Sequence, residues 1–206
     1  MPWSLRSMQR AVRLCLRSRT SRTKERSTRR LRPSPRRSAR RMYFSIIIKP
    51  FLETTLADWE WLMAVNVTSM FLMTKAVLPG MIAAGGGSIV CTSSISAVAA
   101  TPREVVYNTS KGACRMFARS IAVEYRDQNI RCNAVCPGFV RTPHGLREVA
   151  ELNKLGVDMS DAALAVQQGR ICEPEEVARA ALFLASDEAS FINGAHLFVD
   201  NCFTAV

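Results

Sequence analysis

No glycine precedes Gly80, so a glycine-rich, phosphate-cradling turn is excluded from the first third of the chain. Cysteines at metal-ligand spacing are also lacking. The seven cysteines, at 15, 91, 114, 132, 136, 172 and 202, are scattered and odd in number, and none forms a CxxC pair. This argues against structural zinc and a disulfide framework, and makes a reducing, cytoplasmic compartment the expectation. Cys91 and Cys132 fall in apolar strand patterns and are expected in the core. Histidine is nearly absent, and His144 by itself reads as structural or solvated rather than catalytic. No unbroken apolar run approaches the roughly 18 residues of a membrane span, so no membrane partner is expected.

Acidic residues are lacking from one segment only. Residues 1–41 carry fifteen Arg and Lys and a single acid, Glu25, whereas the other 165 residues carry thirteen basic and sixteen acidic side chains. The net charge of +11 therefore belongs to the N-terminal segment, and the body has no nucleic-acid footprint. Residues 1–45 are rich in Arg and Ser, show no sustained helix or strand period, and read as disordered. Three origins compete for them: a basic nucleic-acid arm, a mitochondrial-type presequence, or a start that is not natural to this domain, through a wrong start site or frame change. Aromatics hardly interleave with the charge, Trp3 being the only one before Tyr43, which disfavours the first. The abrupt composition shift favours the third.

Residues 46–206 carry the chemistry. Tyr107 and Lys111 stand four apart in YNTSK, and Ser94 lies thirteen residues before the tyrosine. On a helix, the phenol and the ammonium share one face. A nearby ammonium favours the phenolate, so the tyrosine can shuttle a proton, while a serine hydroxyl holds a carbonyl or alcohol oxygen. Alone, the tyrosine–lysine spacing fits any surface helix. Its context is more specific: GSIVCTSS reads as a strand ending at Ser93-Ser94, and NIRCNAV as the next buried strand, running into PGFVRTP. A helix between them makes a β-α-β unit and a parallel sheet. Chemistry in such sheets gathers at the carboxyl ends of strands, where Ser94, Tyr107 and Pro137-Gly138 map.

From Ile46 to the C-terminus, the order and spacing of AVNVTSMF, GSIVCTSS, YNTSK, NAVCPGFVRTP and the tail EPEEVARAALFLASDEASFINGAHLFVD resemble the short-chain dehydrogenase/reductase family. The resemblance implies an α/β fold, a Rossmann-type doubly wound parallel sheet, here with its first strands and glycine-rich turn missing or altered. It implies an NAD- or NADP-dependent oxidoreductase interconverting a secondary alcohol and a ketone, with no metal. Tyr107 would be the general acid/base, and Lys111 would lower its pKa and hold the nicotinamide ribose. Ser94 would orient the substrate oxygen. Asn66, twenty-eight residues before Ser94, would support a proton relay through a water held by its backbone carbonyl. Pro137, Gly138, Val140 and Thr142 would line the nicotinamide pocket. The family's Asn-Asn-Ala-Gly strand end would fall near Met42 to Ser45, where the chain reads MYFS. The residue that chooses between NAD and NADP is likewise absent.

The remaining elements follow from pattern. Thr55 and Asp58 resemble a capping box opening a helix that carries Trp59, Leu62 and Met63 inward. Gly85-Gly86-Gly87 reads as a helix-to-strand turn, since it precedes a strand. The helix bearing Tyr107 is apolar on more than one side, and with the resemblance this implies a homodimer or homotetramer. Residues 144–170 match a mobile lid of one or two short helices. Pro174 starts a helix with Glu175 and Glu176 near its positive end. Asn201 and Cys202 replace two glycines of the family, which puts that loop's path in question. Residues 95–106 and 144–170 contain no charged cluster that demands an acidic or phosphorylated ligand, so the expected substrate is a moderately apolar alcohol or ketone, cyclic or acyl-chain-like. The alternative to an enzyme is a catalytically silent fragment that keeps only its oligomer surface.

Overall fold

The computed structural model describes residues 46–205. The expectations for residues 1–45 lie outside the described residues. Helix α1 (Leu56–Met63) opens on a capping box in which the Thr55 hydroxyl accepts from the Asp58 amide and the Asp58 carboxylate accepts from the Thr55 amide. Lys49 pairs with the same carboxylate. Residues Ala64–Thr68 widen into a π-helical turn, and α2 (Ser69–Ala83) continues the same rod. The 28-residue stretch Leu56–Ala83 contains an 18-residue window of mean hydropathy 1.4, long and apolar enough to cross a membrane by length and composition only. A search for unbroken apolar runs misses it because Asp58, Glu60, Asn66 and Lys75 interrupt the pattern. In this fold Leu62, Asn66, Thr74 and Leu78 are buried, and Trp61, Phe71, Met73 and Ile82 are exposed.

Gly85 and Gly86 end the rod with φ of +79° and +150°, backbone that L side chains rarely adopt. They turn the chain into β1 (Gly87–Thr92). Helix α3 (Val105–Glu124) then leads to β2 (Ile130–Pro137), and β1 and β2 pair in parallel with Cys91 opposite Ala134. Helices α4 (Pro143–Lys154), α5 (Asp161–Gln168) and α6 (Pro174–Ala185) precede β3 (His196–Val199), which pairs in parallel with β2. Sheet order is β1-β2-β3.

Strand alternation sends Ile89, Cys91, Cys132, Ala134, Cys136 and Phe198 toward α3, where Ala118 and Ala122 meet them. Small side chains on both surfaces let helix and sheet approach closely. Ser88 and Arg131, which alternate to the other face, bind the Leu184 carbonyl at the end of α6. Helices therefore cover both faces, as a doubly wound sheet requires. Cys91 and Cys132 are buried as expected, both free thiols, their sulfurs in a 3.9 Å hydrogen-bond contact. Helix α6 starts at Pro174 with a Glu173–Glu176 capping box. Asn201 and Cys202 take φ of +46° and +71°, so two non-glycine residues are held in left-handed backbone after β3.

Candidate active site

Two strand ends and one helix converge. At the end of β1, the Ser93 amide donates to the Val135 carbonyl, continuing the ladder, and its hydroxyl donates to the Lys111 carbonyl, tying α3 to the sheet edge. Ser94 is extended and buried. Its hydroxyl accepts from the Ser96 amide at 3.1 Å and contacts the Ser96 hydroxyl at 3.1 Å. One turn apart on α3, Tyr107 and Lys111 are both buried, and the Lys111 ammonium lies 5.5 Å from the centre of the Tyr107 ring.

Burial dominates the electrostatics of this pair. Burial pushes the Tyr107 phenol well above its ordinary pKa, and the Glu148 carboxylate adds to this, while the neighbouring Ser94 hydroxyl pulls it down. Burial lowers the Lys111 pKa, opposed by Cys114 and Glu148. Its ammonium sits beside the ring and donates to the Thr92 carbonyl at 3.2 Å.

Asn66 lies in the π-helical turn, a distortion frequent at functional sites. Its side-chain amide donates to the Ser110 hydroxyl at 2.9 Å, and that hydroxyl donates to the Tyr107 carbonyl at 2.8 Å. The Asn66 backbone carbonyl accepts from the Cys114 thiol at 3.3 Å. Asn66 is thus fastened to the helix that carries Tyr107 and Lys111.

The loop after β2 is held on several sides. Gly138 donates to the Val199 carbonyl, and the Gln168 side chain both accepts from the Phe139 amide (2.8 Å) and donates to its carbonyl (3.0 Å), like one residue of a strand. Val140 bridges to Cys172, and its carbonyl accepts from the Thr142 amide. The Thr142 hydroxyl accepts from Gly145 at 3.0 Å as the N-cap of α4, and its own proton remains available for donation. Gln168 had no distinguishing signal in the sequence. A separate cavity of about 300 Å³ lies beyond β3, between Gln168, Arg170, Cys172, Asp200 and Asn201, and Tyr107 does not line it.

Two further residues escaped the sequence reading. Glu104, immediately before α3, is fully enclosed, and Glu148 reaches in from α4, 9% exposed. Burial, reinforced by Glu148, lifts Glu104 to about 9, with Thr101 pulling weakly the other way. Burial lifts Glu148 to about 7, against the attraction of Lys111. His144 lies one turn before Glu148, at 3.8 Å from its carboxylate. Glu104 and Glu148, 44 residues apart in sequence, thus influence each other electrostatically, and neither is a feature that demands an acidic or phosphorylated ligand. Among the described residues, no group of three His, Cys, Asp or Glu is arranged to hold a metal ion.

Residues 42–204 match a protein-family model described as enoyl-(acyl carrier protein) reductase. The chain is 39% identical over 154 residues to 2-(R)-hydroxypropyl-CoM dehydrogenase of Xanthobacter autotrophicus, a match covering 74% of this chain and 60% of that protein. It is 43% identical over 149 residues to dehydrogenase/reductase SDR family member 6 of Aquarana catesbeiana, covering 71% and 60%. A gluconate 5-dehydrogenase from Burkholderia cenocepacia, solved in complex with NADP and tartrate, superposes with a TM-score of 0.69 at 32% identity, over 78% of this chain and 62% of that one. The chain thus spans about three fifths of the length of the curated relatives it matches. With parallel strands, helices on both faces, and Ser94, Tyr107 and Lys111 gathered at the strand ends, the chain belongs to the short-chain dehydrogenase/reductase family.

Proposed function

We propose that residues 46–206 are the catalytic portion of an NAD(P)-dependent oxidoreductase that interconverts a secondary alcohol and a ketone. The observation that carries this is the burial of Ser94, Tyr107 and Lys111 together at the carboxyl edge of a parallel sheet. When bound, NAD or NADP supplies the hydride donor or acceptor. Lys111 and Tyr107 would hold its ribose, and Pro137, Gly138, Val140 and Thr142 its nicotinamide. The cross-tied loop and the donor-capable Thr142 hydroxyl fit that end of the cofactor. The pyrophosphate end is not provided for among the described residues, where the only glycine run ends a helix and opens a strand.

In the reductive direction, Ser94 orients the ketone oxygen and Tyr107 gives it a proton as the carbon receives hydride. In the oxidative direction Tyr107 would accept the proton of the alcohol as the carbon gives up hydride. Asn66 positions α3 through Ser110. The expected second copy of the chain would cover the exposed apolar side chains of the central helices, Trp61 and Phe71 before the sheet and Met116 and Val123 on α3.

The test is a titration of the 206-residue chain with NADH and NADPH by nicotinamide fluorescence, followed by turnover of ketones. Tyr107→Phe should lower turnover about a thousandfold and leave cofactor affinity unchanged, whereas undiminished turnover would sink the assignment. The missing glycine-rich turn favours a second reading, a silent fragment that keeps the fold. No saturable binding at millimolar cofactor would establish it.

A further inference from the structure

We propose that His196 and Arg115 form an acid-sensitive clasp, in which the neutral imidazole fastens β3 to α3 and its protonation releases them. The clasp does not depend on the dehydrogenase reading.

His196 opens β3 opposite Ala134 of β2 and shares with Phe198 the sheet face that α3 covers. Its ring is half-buried there, and a single residue engages both ring nitrogens. Arg115 donates from Nε to His196 Nδ1 at 3.0 Å, and the Arg115 carbonyl lies 3.0 Å from His196 Nε2. A guanidinium can only donate, and a carbonyl can only accept. Nδ1 must therefore present its lone pair, and Nε2 must carry the one proton of the ring. The contact admits neutral imidazole in one tautomer only. A second proton would go to Nδ1, where it would meet the Arg115 N–H head-on and set two cations against each other.

The surroundings do not compensate such a charge. The charges that act on the ring are Arg115 and, one turn further along α3, Arg119, both cations. On β2, burial raises the pKa of the Cys136 thiol near Arg115, so it brings no negative charge. Arg131 of β2 alternates to the opposite face of the sheet, the face covered by α6 with its Glu175, Glu176 and Arg179. Asp200, after β3, accepts from the Thr204 amide and hydroxyl. Burial, with the two arginines, holds the His196 pKa below its ordinary 6.5, against the bond to the Arg115 carbonyl. Above 6.5 the clasped and the released ring are both neutral, and the clasp is at full strength. As pH falls through 6.5, the released ring takes a proton that the clasped ring refuses, so the clasp weakens in acid. Strand β3 also holds the loop after β2, since Gly138 donates to the Val199 carbonyl, and release would reach that loop.

The experiment is long-range 1H–15N NMR of the imidazoles in the full chain from pH 8 to 5, with amide hydrogen exchange along β3. The chain has two histidines, so His196→Gln identifies the His196 signals by their loss. That variant keeps one acceptor and one donor and cannot titrate. Wild-type His196 should carry its proton on Nε2 at pH 7.5 and titrate below 6.5. Protection of the β3 amides, corrected for intrinsic exchange and taken relative to His196→Gln, should fall several-fold from pH 7.5 to 5.5. Its ceiling is about tenfold, set by one proton taken up by the released ring. Arg115→Met removes the N–H and leaves the carbonyl. It should raise the His196 midpoint and lessen the acid loss, and it decides the matter where the glutamine variant fails to fold. A proton on Nδ1, a wild-type midpoint at or above 6.5, a midpoint unmoved by Arg115→Met, or the same pH course of β3 protection with and without the histidine would each overturn the proposal.

Discussion

Replacing Glu104 by glutamine should change how stability depends on pH. An unfolded chain releases the Glu104 proton near pH 4.5, whereas the folded chain holds it to about 9. Between those values the folded state binds one proton more than the unfolded state, so folding stability falls as pH rises. The slope is about 1.4 kcal/mol per pH unit for one such group. From pH 5 to pH 8 this amounts to about 4 kcal/mol. Glu148, held to about 7, adds a slope of the same sign below neutrality. Glu104 is uncharged over this range in the fold, so Glu148 titrates alike in both proteins and cancels from their difference. The glutamine amide introduces an unpaired buried group of its own, a penalty that does not vary with pH. Urea unfolding followed by circular dichroism at pH 5, 6, 7 and 8 should show the variant gaining on the wild type by about 4 kcal/mol across the series. Parallel stability curves would refute the reasoning, because they would mean that Glu104 ionises in the fold as it does in the unfolded chain.

The loop that bears the proposed nicotinamide contacts should be equally sensitive to a single methyl group. A Cβ added at Gly138 would fall on the Gln168 amide oxygen and lie 3.4 Å from the Asp200 backbone. Gly138→Ala should therefore displace Gln168 from Phe139 and cost about 2–3 kcal/mol in urea unfolding. Unchanged stability would mean that the loop relaxes freely. Cys202→Gly should act in the opposite sense, raising stability by about 1 kcal/mol, because φ of +71° strains a cysteine and not a glycine. A loss of stability would show that the thiol makes a contact worth more than the strain.

The YNTSK spacing, the strand ending in paired serines and the strand running into Pro137-Gly138 sufficed to locate a parallel β-α-β unit and to place Ser94, Tyr107 and Lys111 at one edge. These features are local: side-chain periodicity and turn chemistry specify an element, and the handedness of the crossover limits how two strands join. The capping box at Thr55, the helix start at Pro174 and the glycine turn at 85–87 were legible for the same reason. The left-handed backbone at Asn201 and Cys202 was not, since neither residue type demands it.

Environment, however, is not local. A lysine one turn from a tyrosine suggests a depressed phenol pKa, whereas in the fold desolvation and the Glu148 charge push the phenol up and the lysine ammonium donates to the Thr92 carbonyl. Glu104 and Glu148 look like ordinary surface acids in the sequence. Gln168 shows no sign that it will stand in for a strand. The sequence by itself determined the elements and the candidate site residues, because propensity and spacing act within a few turns of chain. Only the tertiary structure decided which acids are enclosed, how far each proton is held and what pins the loop after β2, because desolvation and charge coupling depend on distances that folding alone creates.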